Sequence, residues 1–280
     1  MLTLKAPAKI NWFLRVLGKR SDGYHSIESL IQKVTLFDIL TFTPSDAIEI
    51  TTDAPVAAEE NLVYKAAVLL KEKNSVEKGV IIDLKKNIPV GAGLGGGSSD
   101  AATALTGLNE LWSLNLSMKE LTGVAEQLGS DVPFFLNGAL SFVSGRGEKL
   151  SPCRPKGAFH LLLVKPPLNV STAWVYNNFA MLTKKAEKVN NITHFIRNIE
   201  RAELNSFTDD IANDLESVTI HSFPVIAEIK ERLRQQGAVF SLMSGSGSTV
   251  FGVFKTGKMA EDASRAFGNY WTAVVESSTD

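Results

Sequence analysis

From Gly91 to Gly97 five of seven residues are glycine, and the run is followed directly by Ser98 and Ser99. Without Cβ atoms the backbone can turn through left-handed conformations and approach a ligand closely. The amides of such a loop can surround a phosphate chain, and a helix opening near Ser98 would add its positive end. Ser98 and Ser99 can donate to phosphate oxygens or hold a magnesium ion. Three other readings compete. Gly91, Gly93 and Gly96 satisfy the G-x-G-x-x-G spacing of dinucleotide sites, but the surrounding pattern is not a run of βαβ units. A Walker A loop is excluded, because no G-x-x-x-x-G-K-[ST] occurs. A plain turn with Ser98 as helix cap explains one glycine and one serine, not five glycines.

Further polar residues stand at places where chemistry is possible. Asp131 lies in Gly129-Ser130-Asp131-Val132-Pro133 at an expected helix start, where its ordinary role is an N-cap. Lys9 interrupts an apolar strand, and its ordinary role is a solvated edge charge. Tyr24 and His25 follow the turn signal Asp22-Gly23, which puts them at a loop tip, a common place for ligand contacts. His160, His194 and His221 show no metal-ligand spacing. Cys153, the sole cysteine, excludes an intrachain disulfide and fits a reducing cytoplasm.

These residues need elements to hold them. Ile10, Trp12, Leu14 and Val16 alternate as in a half-buried strand, and 29–43 and 80–84 predict further strands. Asn61 caps a helix carrying Leu62, Ala66, Leu69 and Leu70, and Ala101, Ala102, Leu105, Leu108 and Trp112 mark a longer one from Ser98 onward. Ser117 and Glu120 form a capping box for a helix ending at Gly129. Residues 151–157 have a linker's composition. Beyond them come a strand at 160–164, helices including 224–235, strands at 238–243 and 250–254, a helix at 259–267 and a last strand at 272–275. Grouped, that is the β-α-β-β-α-β order of a ferredoxin-like unit. The expectation is α+β, with domains at 1–152 and 153–280 and a cleft between them.

The 280 residues are 44% hydrophobic and 21% charged with a net charge of −1, which leaves no electrostatic footprint for nucleic acid or an anionic membrane. No apolar stretch approaches the roughly 18 residues of a membrane span. Residues 1–7 show no basic segment followed by an apolar run, so no signal peptide is expected and the location expected is cytoplasmic.

The segment Pro89, Val90, Gly91, Ala92, Gly93, Leu94, Gly95, Gly96, Gly97, Ser98 and Ser99 resembles the phosphate loop of the GHMP kinases. Residues 242–249, Leu-Met-Ser-Gly-Ser-Gly-Ser-Thr, resemble that superfamily's third motif, although alone they read equally well as a hairpin connection. Residues 6–14 resemble its first motif. Ala8-Lys9-Ile10-Asn11, the stretch Gly18 to His25 and the stretch Gly129 to Phe135 are together similar to one branch. That branch phosphorylates the 2-hydroxyl of a cytidine-diphosphate-linked methylerythritol in the non-mevalonate route to isoprenoids. The match covers residues 1 to about 150, 160–180 and 237–254, while 180–235 match little.

The resemblance implies a two-domain GHMP kinase fold, with an N-terminal domain like a ribosomal protein and a ferredoxin-like C-terminal one. It implies ATP and Mg2+ as cofactors and a catalytic Asp131 with Lys9 as partner. It implies that Asn11, Tyr24, His25 and Tyr176 hold the substrate, with His25 at the cytosine edge and Tyr176 stacked on the base; Trp174 competes for that place. Asn61, Leu62 and Lys86 fall where the superfamily builds part of its adenine pocket. In phosphoryl transfer such a carboxylate orients the acceptor hydroxyl and takes its proton, while the lysine steadies the moving charge. A monomer or homodimer with a small-molecule substrate and neither nucleic acid nor membrane as partner is expected. The rivals are a homoserine or mevalonate kinase, a non-catalytic ATP-binding protein, and a nucleic-acid binder.

Overall fold

The computed structural model describes residues 1–53, 60–182, 192–203 and 211–279. They form two compact units interleaved along the chain. The first comprises Met1–Ala8, Leu36–Val90 and Gly95–Asn137, and the second Lys9–Thr35, Gly91–Leu94 and Gly138–Asp280. Two long strands, β1 (Leu2–Lys19) and β2 (His25–Ser45), run through both. No helix among the described residues is long and apolar enough to cross a membrane.

In the first unit the C-terminal half of β2 pairs antiparallel with β4 (Gly79–Lys85), which pairs parallel with β3 (Ile48–Thr52). Helices α1 (Leu62–Lys73), α2 (Gly96–Leu111), α3 (Met118–Leu128) and α4 (Val132–Leu136) complete it. Alternation buries Leu40, Phe42, Val80, Ile82 and Leu84, and Val63, Ala66 and Leu70 of α1 and Ala101, Leu105 and Leu108 of α2 are buried too. Helix α2 lies so close to the sheet that a Cβ on Gly107 would stand 2.5 Å from the Phe42 ring. The α3 capping box forms as its sequence predicts, and α3 stops at Gly129.

In the second unit the N-terminal half of β2 pairs with β5 (Leu140–Ser144), which pairs with β6 (Lys149–Cys153). The expected linker at 151–157 is therefore corrected: its first three residues, Ser151, Pro152 and Cys153, belong to strand β6. Strands β7 (His160–Lys165), β8 (Phe240–Met243), β9 (Val250–Phe254) and β10 (Trp271–Glu276) form an antiparallel sheet in the order β10-β7-β9-β8. That is the ferredoxin-like order. Between β7 and β8 run α5 (Thr172–Leu182), α6 (Ile192–Glu200), α7 (Glu216–Ser222) and α8 (Val225–Gln235), and α9 (Gly257–Ser264) precedes β10. Helix α8 packs on β8 and β9, and α9 on β7 and β10.

Strand β1 is not half-buried as its alternation suggests. From Ala8 to Leu14 every residue is buried, Lys9 and Asn11 included. Burying polar groups on a strand interior costs free energy unless they find partners. That makes this stretch the natural place to begin the site.

Candidate active site

Lys9 is 5% exposed, which rules out the edge-charge reading. Its Nζ donates to Asn11 Oδ1 at 2.6 Å, Asn11 Nδ2 donates to Ser29 Oγ at 2.8 Å, and Ser29 Oγ donates to Phe13 O. A chain of bonds running from ammonium to backbone therefore fixes both side chains that the family resemblance singles out. Ser29 carried no sequence signal, because it becomes Asn11's neighbour only when β1 and β2 pair.

The glycine turn joining β8 to β9 packs on part of the phosphate loop. A Cβ on Gly93 would stand 2.1 Å from Ser244 O, and one on Gly245 would stand 3.2 Å from both Gly93 O and Lys9 Nζ. Ser244 Oγ donates to Gly93 O at 2.9 Å, and Thr249 N to Ala92 O at 3.2 Å. The turn is held from behind by Asn213, whose Nδ2 donates to Met243 O and Gly245 O, and by Glu216, which accepts from Met243 N. The two readings of 242–249 thus coincide: it is a hairpin connection, and it is packed against the loop.

Along the loop Gly91, Gly93 and Gly95 all have left-handed φ, +64°, +76° and +70°. Alternate left-handed residues turn successive amides toward one side, the arrangement that makes an anion-binding concavity. Helix α2 begins at Gly96, with Gly95 as its N-cap and no side-chain cap bond. Ser98 is therefore not the cap but lies in the first turn. The amides of Gly96, Gly97 and Ser98 precede the first intrahelical bond, Ser99 N to Gly95 O. Helices α3 and α4 follow α2 before any strand, so the G-x-G-x-x-G spacing is not part of a dinucleotide-type βαβ unit.

Residues expected near the adenine surround this helix start. Asn61 caps α1 by accepting from Val63 N at 2.9 Å, and Leu62 Cδ1 would lie 3.8 Å from a Cβ on Gly97. Lys86 Nζ is bonded to both Asp38 Oδ2 and Asp100 Oδ2, the latter at 2.6 Å. The Asp100 carboxyl is raised to about 7, first by burial and further by Asp38, against the downward pull of Lys86. Burial alone would lower the Lys86 ammonium, but the two carboxylates outweigh it and raise it. Neither aspartate was visible as a site residue in the sequence.

Asp131 precedes α4 with helical φ and ψ and makes no capping bond, so the cap reading fails. Its half-buried carboxylate makes no hydrogen bond or ion pair among the described residues.

In the second unit His25 and Tyr176 stack, with ring centroids 5.2 Å apart and planes 27° from parallel. Trp174, the competitor, packs instead on Phe223. Partial burial, helped by the charge of Lys19, holds the His25 imidazole below its ordinary value and so favours the neutral ring, which presents one donor and one acceptor. Tyr24 is exposed at the β1–β2 turn, where its N donates to Asp22 Oδ1 and the Arg146 guanidinium lies 5.1 Å from its ring centre. Arg146, 122 residues further on, offered the sequence no cue.

Fold and loop together define a phosphate-transferring enzyme of the GHMP kinase class. The family models for the GHMP kinases N terminal domain and GHMP kinases C terminal match residues 61–139 and 186–273. The 4-diphosphocytidyl-2-C-methyl-D-erythritol kinase of Thermodesulfovibrio yellowstonii is 47% identical over 280 residues, covering 99% of this chain and 98% of that protein. A crystal structure of 4-(cytidine 5'-diphospho)-2C-methyl-D-erythritol kinase superposes with a TM-score of 0.84 at 34% identity, covering 99% of this chain and 100% of that one. A homoserine kinase from Cytophaga hutchinsonii shares the fold, with a TM-score of 0.72 at 20% identity over 99% and 94% of the two chains. The chain belongs to the 4-diphosphocytidyl-2-C-methyl-D-erythritol kinase family of the GHMP kinases. It is an ATP-dependent kinase.

Proposed function

We propose that this enzyme transfers the γ-phosphoryl group of ATP to the tertiary 2-hydroxyl of 4-diphosphocytidyl-2-C-methyl-D-erythritol, a step of the non-mevalonate isoprenoid route. The observation that carries the reading is 47% identity along nearly the whole chain to a relative of that name. The stacked His25–Tyr176 pair is its physical counterpart, since a flat base binds an aromatic face and its edge needs directional partners.

The residue roles belong to the same proposal. Asp131 accepts the proton of the 2-hydroxyl as its oxygen attacks the γ-phosphorus and the bond to the β-phosphate oxygen breaks. Lys9, steered by Asn11, steadies the charge on the moving group. Tyr24, His25 and Tyr176 hold the cytidine end. Residues Pro89 to Ser99 cradle the ATP phosphates, with Asn61, Leu62 and Lys86 beside the nucleotide. Magnesium would be held mainly by those phosphates, with the Ser98 and Ser99 hydroxyls as protein oxygens. Among the described residues the buried Ser99 Oγ has no hydrogen-bond partner, which fits such a ligand. When bound, the ion neutralises phosphate charge. The division at 152 and 153 is kept as a proposal, and the two family models fall on either side of it. A cytoplasmic monomer or homodimer with neither nucleic-acid nor membrane partner agrees with the net charge of −1 and the single cysteine.

The test is ADP release with ATP and magnesium, comparing the cytidylated substrate with its cytidine-free erythritol phosphate. Turnover with the first alone supports the proposal. Equal turnover removes the base site, and no turnover with either removes the substrate.

A further inference from the structure

The antiparallel ladder of β2 and β4 ends at the pair Ile39 and Lys85, so Asp38 and Lys86 face each other one step beyond it. Asp38 is fully buried, and its carboxylate is saturated by the strand exit that leads to the phosphate loop. Oδ1 accepts from Asn87 N at 2.6 Å and from Ile88 N at 2.8 Å, while Oδ2 is bonded to Lys86 Nζ. The two side chains governed in this way are the ones that meet the first residue of α2. A Cβ on Gly96 would stand 2.9 Å from Ile88 Cγ2 and 3.3 Å from Lys86 Nζ. One carboxylate therefore fixes both contacts beneath the first turn of α2. Asp100, on the fifth residue of α2, grips Lys86 from the helix side.

We propose that Asp38 is a positioning residue for ATP: it holds Lys86 under Gly96 and so sets where the first turn of α2 presents its amides. The proposal rests on the reading that Lys86 and the loop serve ATP. A buried carboxylate at a ladder end with only a structural role would affect stability without singling out one substrate.

The test uses steady-state kinetics of the full chain at pH 8 with Asp38→Asn, Lys86→Met and the double variant, with urea midpoints measured alongside. Asparagine keeps an oxygen for the Asn87 and Ile88 amides and gives up the charge on Lys86, so it isolates that arm. The expected result is an ATP KM raised about tenfold or more in Asp38→Asn, the loss of a charge-assisted bond. The KM of the phosphoryl acceptor stays within about twofold, and adding Asp38→Asn to Lys86→Met changes ATP KM by less than about threefold, because coupled residues are not additive. A raised ATP KM in Lys86→Met with an unchanged one in Asp38→Asn overturns the proposal alone. An unchanged ATP KM in Lys86→Met overturns the reading of Lys86, and the proposal with it. Equal rises in both KM values, or a full effect of Asp38→Asn in the Lys86→Met background, also overturn the proposal. Should Asp38→Asn not fold, Asp38→Glu in the same cycle keeps the charge but displaces it by one methylene, and an unchanged ATP KM there overturns the proposal.

Discussion

Gly93→Ala places one methyl group where the loop has no room for it. The left-handed φ of +76° costs an L-residue about 1–2 kcal/mol. The new Cβ would stand 2.1 Å from Ser244 O and 2.9 Å from Gly247 O, where real contacts stay beyond 3.0 Å, so loop and turn must part by roughly 1 Å. That movement strains the bonds from Ser244 Oγ to Gly93 O and from Thr249 N to Ala92 O, each contributing about 1 kcal/mol. The sum is about 3–4 kcal/mol, or a melting temperature lower by roughly 10 °C in a chain of this size. Gly97→Ala is the matched control. It lies in the first helical turn without a positive φ, and its nearest neighbour would be Leu62 Cδ1 at 3.8 Å. Helix propensity should stabilise it by up to about 1 kcal/mol. Differential scanning calorimetry compares the two, and ATP titration should show an ATP KM raised about tenfold in Gly93→Ala. A Gly93→Ala protein that melts within about 2 °C of the parent, with its ATP KM unchanged, would refute the packing argument.

Asp131→Asn should lower kcat by roughly a thousandfold with ATP KM little changed, and, having no capping bond to lose, should melt at the parent's temperature. Retained turnover removes its catalytic role. Tyr176→Ala should raise the KM of the cytidylated substrate roughly ten- to a hundredfold and Trp174→Ala should not; the reverse order would return the base to Trp174. Asn61→Ala removes the α1 cap and should cost about 1 kcal/mol in urea unfolding. The folded Asp100 carboxyl is raised from 3.8 to about 7, so between those values the folded protein keeps a proton that the unfolded chain has released. Its contribution to stability is complete below pH 3.8 and is lost as pH rises through about 7. Asp100→Asn should flatten that part of the stability–pH curve, and an unaltered slope would place the titration elsewhere.

Much of this was legible in the sequence. Local signals carried the elements: the Ser117–Glu120 box, Asn61 as a cap, the glycines between β4 and α2, and the order of strands and helices after residue 160. Each depends on atoms a few residues apart, so spacing suffices to read it. The misreadings share another cause. Periodicity in β1 showed one apolar face, but Ala8 to Leu14 is buried on both, because what covers the second face comes from distant sequence. The longer helix was expected from Ser98 onward, yet it starts two residues earlier, since Gly95 can take the left-handed turn that a serine resists. Strand β6 was hidden by Ser and Pro residues, and its pairing with β5 makes it a strand.

The sequence by itself determined the family, the glycine-rich loop between β4 and α2, and the ferredoxin-like order. Only the tertiary structure decided which side chains meet: Lys9 with Asn11 and Ser29, His25 with Tyr176 rather than Trp174, Arg146 over Tyr24, and Asp38 and Asp100 on Lys86. Those partners stand from 2 to 151 residues apart in the chain. Apart from Lys9 and Asn11, neighbours on one face of β1, strand register and helix packing set these meetings, and neither can be read from local spacing.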